Sequence, residues 1–397
     1  MGVSQIILDR NDLTLTRLYY FLFYGGTGFM SPFLNLFLIQ RGLDGTQIGW
    51  ATSIFAFVTL IAAPFWTNRN TRWHSPRGIL QLFLVLTGLS YLWLTAQTLF
   101  WGVALVNVVR ALVSAGISPL SDSLALTVTK ATQAGFGSIR VWGSFGWMVC
   151  VLLSGWMVDK TGLVTGLVGA AAITCLAALV LFPIGPHNFA VRVQDEKPPN
   201  VRDVVAKLLH NRAMLGVAIM IILIGIGNSG ILQFEYVYLQ QLGADKSLIG
   251  IAGMLSSVVE IPCMLWADRL VTRRGAYPIM LVSMLIYVGL RLSVLFVPAI
   301  VTVLAMRALQ GFAFSFYTVA LIRFIGEQTT PHETRTVLAL YTITLTNLVT
   351  IIGSPLTGMA FDRFGTRPLY LLAAAGYFLA WLSLFIARKP TEPKLAP

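Results

Sequence analysis

Twelve stretches of about twenty mostly apolar residues follow one another along this chain. They lie near 17–39, 47–67, 77–97, 99–126, 136–158, 163–183, 213–241, 247–267, 277–297, 299–325, 336–359 and 367–387. Each is about as long as an α-helix must be to cross the hydrocarbon of a bilayer. No water reaches that layer, so a spanning segment must close its backbone hydrogen bonds within itself, as a helix, or within a sealed barrel. A barrel would show alternating segments of about ten residues, and the sequence has none. The balance of residues agrees: 56% are apolar and only 11% charged, with a mean hydropathy of +0.76, against about 25% charged in a soluble domain. The expected class is an all-α polytopic membrane protein with twelve transmembrane helices.

The chain also repeats itself. Leu38, Gln40, Gly42, Ile48 and Gly49 return 201 residues later as Leu239, Gln241, Gly243, Ile249 and Gly250. Trp66 and Arg69 return at an offset of 200 as Trp266 and Arg269, with Asn68 opposite Asp268. Gly155, Asp159, Lys160 and Gly162 return at 203 as Gly358, Asp362, Arg363 and Gly365. Near-constant offsets mark two homologous halves. Repeats that share an orientation need an even number of spans each, and six satisfies that. Two parallel six-helix pseudo-repeats, related by an axis along the membrane normal, form a major facilitator arrangement. The stretch 184–212 is polar and holds Pro186, Pro198 and Pro199, which marks it as the connection. The division expected is a bundle at 1–184, a cytoplasmic linker at 185–212 and a second bundle at 213–397, with a short amphipathic surface helix over 201–210.

With the N-terminus placed in the cytoplasm, the 28 Lys and Arg divide unequally. Twenty fall on the cytoplasmic side and five (Arg41, Lys160, Lys246, Arg363, Arg367) on the other. That bias places both termini in the cytoplasm of a cell (plasma or inner) membrane. It also accounts for the net charge of +12 as a topology signal facing anionic lipid. Nucleic acid is not an expected partner, because no loop is long enough for a basic domain. Residues 1–16 are polar, so no cleavable signal peptide is visible.

Cys150, Cys175 and Cys263 lie inside spans without paired spacing, and read as small buried hydrophobes. The histidines (His74, His187, His210, His332) sit in loops or at helix ends, away from any intramembrane relay. There is no phosphate-binding glycine loop, no metal constellation, and no nucleophile–base pair. Neither an enzyme nor a cofactor is expected.

The residues that invite a function are the charges within the spans: Arg110 and Asp122 on span 4, Arg140 on span 5, Glu235 on span 7, Glu260 on span 8, Arg291 on span 9 and Arg307 on span 10. A charge at the bilayer centre costs at least about 2.5–3.5 kcal/mol, so such groups face a cavity or one another. On span 5, Arg140, Gly143, Ser144 and Trp147 follow i, i+3, i+4, i+7 spacing and share a helix face. An arginine fork beside an indole suits a polar, ring-shaped ligand. The same pattern also fits an interfacial arginine with glycines for helix packing.

The run from Pro119-Leu-Ser-Asp122 through Phe136-Gly-Ser-Ile-Arg140-Val-Trp-Gly-Ser-Phe-Gly146-Trp147 resembles spans 4–5 of the oligosaccharide:proton symporters, the lactose-permease-like group. It is at least as similar to the phenylpropionate-permease-like group of major facilitator proteins. The resemblance implies that Asp122, Arg140 and Trp147 contact the ligand. It also matches Glu260, in Val-Val-Glu-Ile-Pro, and Arg291 to a glutamate and an arginine implicated in binding and proton coupling. The chain departs from the family on span 10, where Gln310 and Ala313 replace a histidine and a proton-carrying glutamate and Arg307 stands one turn earlier. Glu235 and Glu260 are therefore the candidates for that role, with Arg291 as the partner of Glu260. Trp266-Ala-Asp268-Arg269-Leu-Val-Thr-Arg-Arg-Gly275 resembles the superfamily's cytoplasmic signature, which implies that Asp268 and Arg269 clasp neighbouring helix ends as a gate.

The function expected is secondary transport by alternating access: proton-coupled import of a small polar organic solute (a sugar, nucleoside or aromatic acid) by a monomer. Proton-antiport efflux of amphipathic compounds is the alternative, and a non-transporting sensor or scaffold of the same fold stands behind it.

Overall fold

The computed structural model describes residues 3–70, 75–189 and 201–387. The first half runs α1 (Val3–Met30), α2 (Leu34–Gln40), α3 (Gly45–Asn70), α4 (Pro76–Thr95), α5 (Phe100–Ser114), α6 (Ile117–Thr132), α7 (Gly137–Thr161) and α8 (Val164–Val180). A surface helix, α9 (Val201–His210), leads into α10 (Arg212–Gln241), α11 (Lys246–Arg274), α12 (Ala276–Phe296), α13 (Ile300–Gln328), α14 (Pro331–Ala339), α15 (Thr346–Phe364) and α16 (Arg367–Ala387). Among the described residues, eleven stretches are long and apolar enough to cross a membrane, and Val164–Val180 is a shorter apolar helix, which makes the expected twelve.

Three spans are interrupted. α1 and α2 are separated at Ser31–Phe33, around Pro32, which has no N–H to give an uninterrupted ladder. α5 and α6 meet at Ala115–Gly116, and α14 passes into α15 through a π-helical stretch, Leu340–Leu345.

The repeated glycines have a backbone reason. Gly42, Gly243, Gly162 and Gly365 adopt φ of 91°, 93°, 93° and 75°. In that region a Cβ would clash, so glycine ends each helix at the same place in both halves.

Among the described residues, the apolar core joins the halves at one end. One buried cluster takes Phe33, Leu36 and Ile48 from the first half together with Phe234, Leu239 and Ile249 from the second. These residues flank the 41–45 and 242–246 turns. At the opposite end the cores are separate, one around Leu80, Leu124 and Ile139, the other around Met280, Phe316 and Phe324.

The seam at the joined end is built on glycine and capped by carboxylates. α3 packs on α15, and α7 on α11. A Cβ on Gly155 would lie 2.8 Å from Gly250 Cα, and one on Gly49 would run into the Ser354 carbonyl. Asp362 Oδ1 accepts the Gly45 N–H at 2.7 Å, while its Oδ2 accepts the Thr46 N–H at 2.7 Å and the Thr46 hydroxyl at 2.6 Å. Its repeat partner Asp159 accepts the Lys246 N–H at 3.1 Å. Each aspartate thus caps the first turn of a helix in the other half, where unpaired N–H groups and the helix dipole favour negative charge.

Candidate functional site

The expected binding residues come together around α1. Glycines on α1 and α7 bring these helices into close contact: a Cβ on Gly28 would stand 2.9 Å from the Trp147 carbonyl oxygen and 3.3 Å from its indole, and one on Gly146 would meet the Phe21 carbonyl. Trp147 is thereby seated, half-buried, against α1. Tyr20 and Tyr24, one turn apart on α1, then serve the two charges. The Tyr20 hydroxyl donates to Asp122 Oδ1 at 3.1 Å. The Arg140 guanidinium lies 4.3 Å from the Tyr24 ring centre, a cation–π arrangement. The two phenol rings are 5.9 Å apart.

Asp122 and Arg140 form no direct ion pair among the described residues. Arg140 interacts electrostatically with Asp122 from its own half and with Glu260 from the other. Asp122 and Arg140 are exposed and Glu260 is half-buried. The Glu260 carboxylate makes no hydrogen bond or ion pair among the described residues. Pro262 follows it inside α11 and withholds the N–H that the Val258 carbonyl would otherwise receive, a polar site that favours water nearby.

A correction concerns Arg291. The sequence assigns it to Glu260, but its Nη1 lies 3.6 Å from Glu235 Oε1. Glu235 is 4% exposed, so it is not a water-facing acid at a helix end. Its Oε2 also receives Arg307 Nη1 at 2.8 Å. The cluster closes through neutral groups: Arg307 Nη2 donates to the Tyr236 hydroxyl at 2.6 Å and its Nε to the Ala252 carbonyl at 3.0 Å. Arg291 Nη2 donates to Gln310 Oε1 at 3.1 Å. Gln310 therefore occupies the span 10 position of the absent histidine as a hydrogen-bond acceptor. Glu235 thus joins two arginines and ties α10, α12 and α13 together.

Asp268 and Arg269 are both exposed at the end of α11, and neither side chain makes an ion pair or hydrogen bond among the described residues. Arg323 holds that helix end instead, donating to the Thr272 hydroxyl at 2.6 Å. Of the first-half counterpart, residues 71–74 and the side chains of 68–70 lie outside the described residues, as do linker residues 190–200.

The tyrosines of α1 are the functional candidates that charge-based reading passes over. Their i, i+4 spacing on an otherwise apolar span was the available signal.

A model of the MFS_1 like family matches residues 13–372. Maltose permease of Geobacillus stearothermophilus is 28% identical over 387 residues, covering 95% of this chain and 94% of that protein. Multidrug resistance protein MdtG of Salmonella typhimurium is 27% identical over 325 residues, covering 79% and 80%. Among solved structures, the nucleoside transporter NupG superposes with a TM-score of 0.81 over 97% of this chain and 100% of that one, at 15% identity. A bacterial homologue of the human lysosomal transporter Spinster, inward-facing, gives 0.70 over 98% and 100%, at 14% identity. At those identities the likeness is one of fold, and the fold is the twelve-helix one expected.

Proposed function

The chain belongs to the MFS_1 like family of major facilitator transporters, and on that premise we propose that it imports a small polar organic solute in symport with protons. The observation that carries this reading is one guanidinium, Arg140, within electrostatic reach of two carboxylates that belong to different halves, Asp122 and Glu260. Asp122 is held by the Tyr20 hydroxyl. Glu260 has no fixed partner among the described residues, so it is the acid free to exchange a proton with the cavity. A solute that takes the Arg140 fork and lies against Trp147 removes the guanidinium from Glu260. Glu260 then takes a proton from the cavity, and the loaded carrier crosses with that carboxylate neutral. Arg291 and Glu235 brace the second half rather than carry the proton.

The division into bundles at 1–184 and 213–397, joined by a linker at 185–212, lets the halves rock about this site. With both termini in the cytoplasm of a cell membrane, the joined end faces outward and the cavity faces inward. The unengaged Asp268 and Arg269 then fit a cytoplasmic gate that is open. Maltose permease, as named, favours a sugar as the solute, and a monomer suffices to form the path. The MdtG relatives support a second reading, proton-antiport efflux.

The test is uptake by proteoliposomes under an imposed pH gradient. Inward pH-driven accumulation that is lost in Glu260→Gln, with substrate counterflow retained, is the expected outcome. Accumulation in the opposite sense would select efflux. Proton-driven uptake surviving in Glu260→Gln would remove Glu260 from the mechanism.

A further inference from the structure

Three arginines stand deep within the spans, and their surroundings differ. Arg291 and Arg307 share the Glu235 carboxylate. Arg110, on α5, is 8% exposed but faces no carboxylate among the described residues. Its Nη2 donates to Asn107 Oδ1 at 2.7 Å, and its Nη1 reaches Met30 Sδ at 3.9 Å. The rings of Phe55 and Tyr91 lie 4.5 and 5.8 Å from its Cζ, with the Tyr91 hydroxyl in reach. Its Nε has no hydrogen-bond partner. An amide, a thioether and two aromatic rings ease the burial of this cation, but none of them balances its charge. A desolvated guanidinium without a counter-ion is costly to keep.

A cavity of about 280 Å³ opens beside Arg110 and is walled by both halves. Thr52, Asn107 and Arg110 line it from the first half, and Ser229 and Gln233 from the second. Gln233 Oε1 is a buried acceptor without a partner. One wall thus offers an unbalanced cation with a spare donor, and the facing wall offers a spare acceptor. The volume sits just below the usual range for sites that take drug-sized ligands, so it suits a molecule of few heavy atoms.

We propose that this cavity is an anion subsite, separate from the Arg140 site, that takes the carboxylate of a small organic acid on Arg110 while a hydroxyl or amine of the same molecule donates to Gln233. A guanidinium presents paired N–H donors in the geometry a carboxylate accepts. Because its walls come from different halves, an occupant would favour the conformations that keep those walls facing each other. The inference rests on the transporter reading above, to which it adds a solute class, organic anions.

The experiment is thermal unfolding and titration calorimetry of the purified full chain in nanodiscs at constant ionic strength. Lactate, glycerate and 3-hydroxybutyrate are each compared with their amides. At least one carboxylate should raise the unfolding midpoint in a concentration-dependent way, and its amide should not. Asn107→Asp places a carboxylate where Oδ1 now accepts from Arg110 at 2.7 Å, at the cost of the Asn107 Nδ2 bond to the Ala51 carbonyl at 3.2 Å. With its arginine neutralised internally, that variant should bind the carboxylate at least about tenfold more weakly. Arg110→Gln should do the same, and it serves if Asn107→Asp does not fold. Equal responses to acid and amide, or wild-type affinity in either folded variant, would overturn the proposal. The two readings fail separately: pH-driven uptake lost in Glu260→Gln without any carboxylate effect leaves the transport mechanism standing and removes the subsite. Carboxylate binding by a protein that moves no solute does the reverse.

Discussion

Removing the Asp362 carboxylate should open the outer seam. It bonds two backbone N–H groups and one hydroxyl at the start of α3, at 2.6–2.7 Å, and it joins helices of different halves. Such bonds to a charged acceptor contribute more than neutral ones, but this carboxylate is exposed, so solvent screening and competing water reduce their worth. The loss of a side-chain cap typically costs about 0.5–2 kcal/mol, and about 1–2 kcal/mol fits three short bonds at a wet seam. Here the cost falls on one conformation rather than on the fold, because the bonds break when the halves part at this end. Asp362→Ala should therefore shift the balance between closed and open outer ends by roughly 5- to 30-fold. Spin labels at Thr95, the last residue of α4, and Val297, just beyond α12, lie in different halves at this end and report the balance as a distance distribution by double electron–electron resonance. The long-distance population should grow in Asp362→Ala. Asp159→Ala, which removes a single bond of 3.1 Å, should move it less. An unchanged distribution in Asp362→Ala, or a larger effect from Asp159→Ala, would refute the reasoning.

Three further outcomes are expected. Arg140→Lys should keep the fold but abolish solute-induced thermal stabilisation, because an ammonium cannot reproduce the fork that lies 4.3 Å from the Tyr24 ring centre; retained stabilisation would move the site elsewhere. Glu235→Gln leaves Arg291 and Arg307 together without an acid, which should cost about 3–5 kcal/mol. The double variant Glu235→Gln/Arg307→Met should recover part of that loss in thermal unfolding, and strict additivity would argue against the cluster. At the surface, Lys207 Nζ donates to Glu333 Oε1 at 2.6 Å, tying α9 to α14. That bond, with one from Thr330, holds the Glu333 carboxyl below its ordinary value of 4.5. A lowered folded-state value means the tie contributes fully above about 4.5 and is lost as pH falls through the lowered value. Hydrogen exchange of α9 should accelerate over that acid window in the wild type, and Lys207→Met should remove the pH dependence.

The sequence by itself determined the class, the number of spans and the repeat, because those constraints act within each segment. Every peptide group in hydrocarbon must bond inside its own helix, so apolar length alone marks the spans. A helix that must stop where only glycine tolerates the backbone shows it at Gly42 and again at Gly243. Arg140 and Trp147 could be read as one face of α7 for the same reason, since spacing along a helix fixes a shared face, whereas Asp122 lies on α6 and entered that patch only through the family resemblance. Which charges meet across helices was decided by the tertiary structure alone. Glu235 and Glu260 are both intramembrane acids, and nothing local says that Arg291 turns to the first. That choice follows from how α10, α12 and α13 are rotated and packed around Tyr236, Met306 and Gln310. Likewise the repeated Asp159 and Asp362 read as loop acids in the sequence. They become helix caps only when close glycine contacts bring the two halves together.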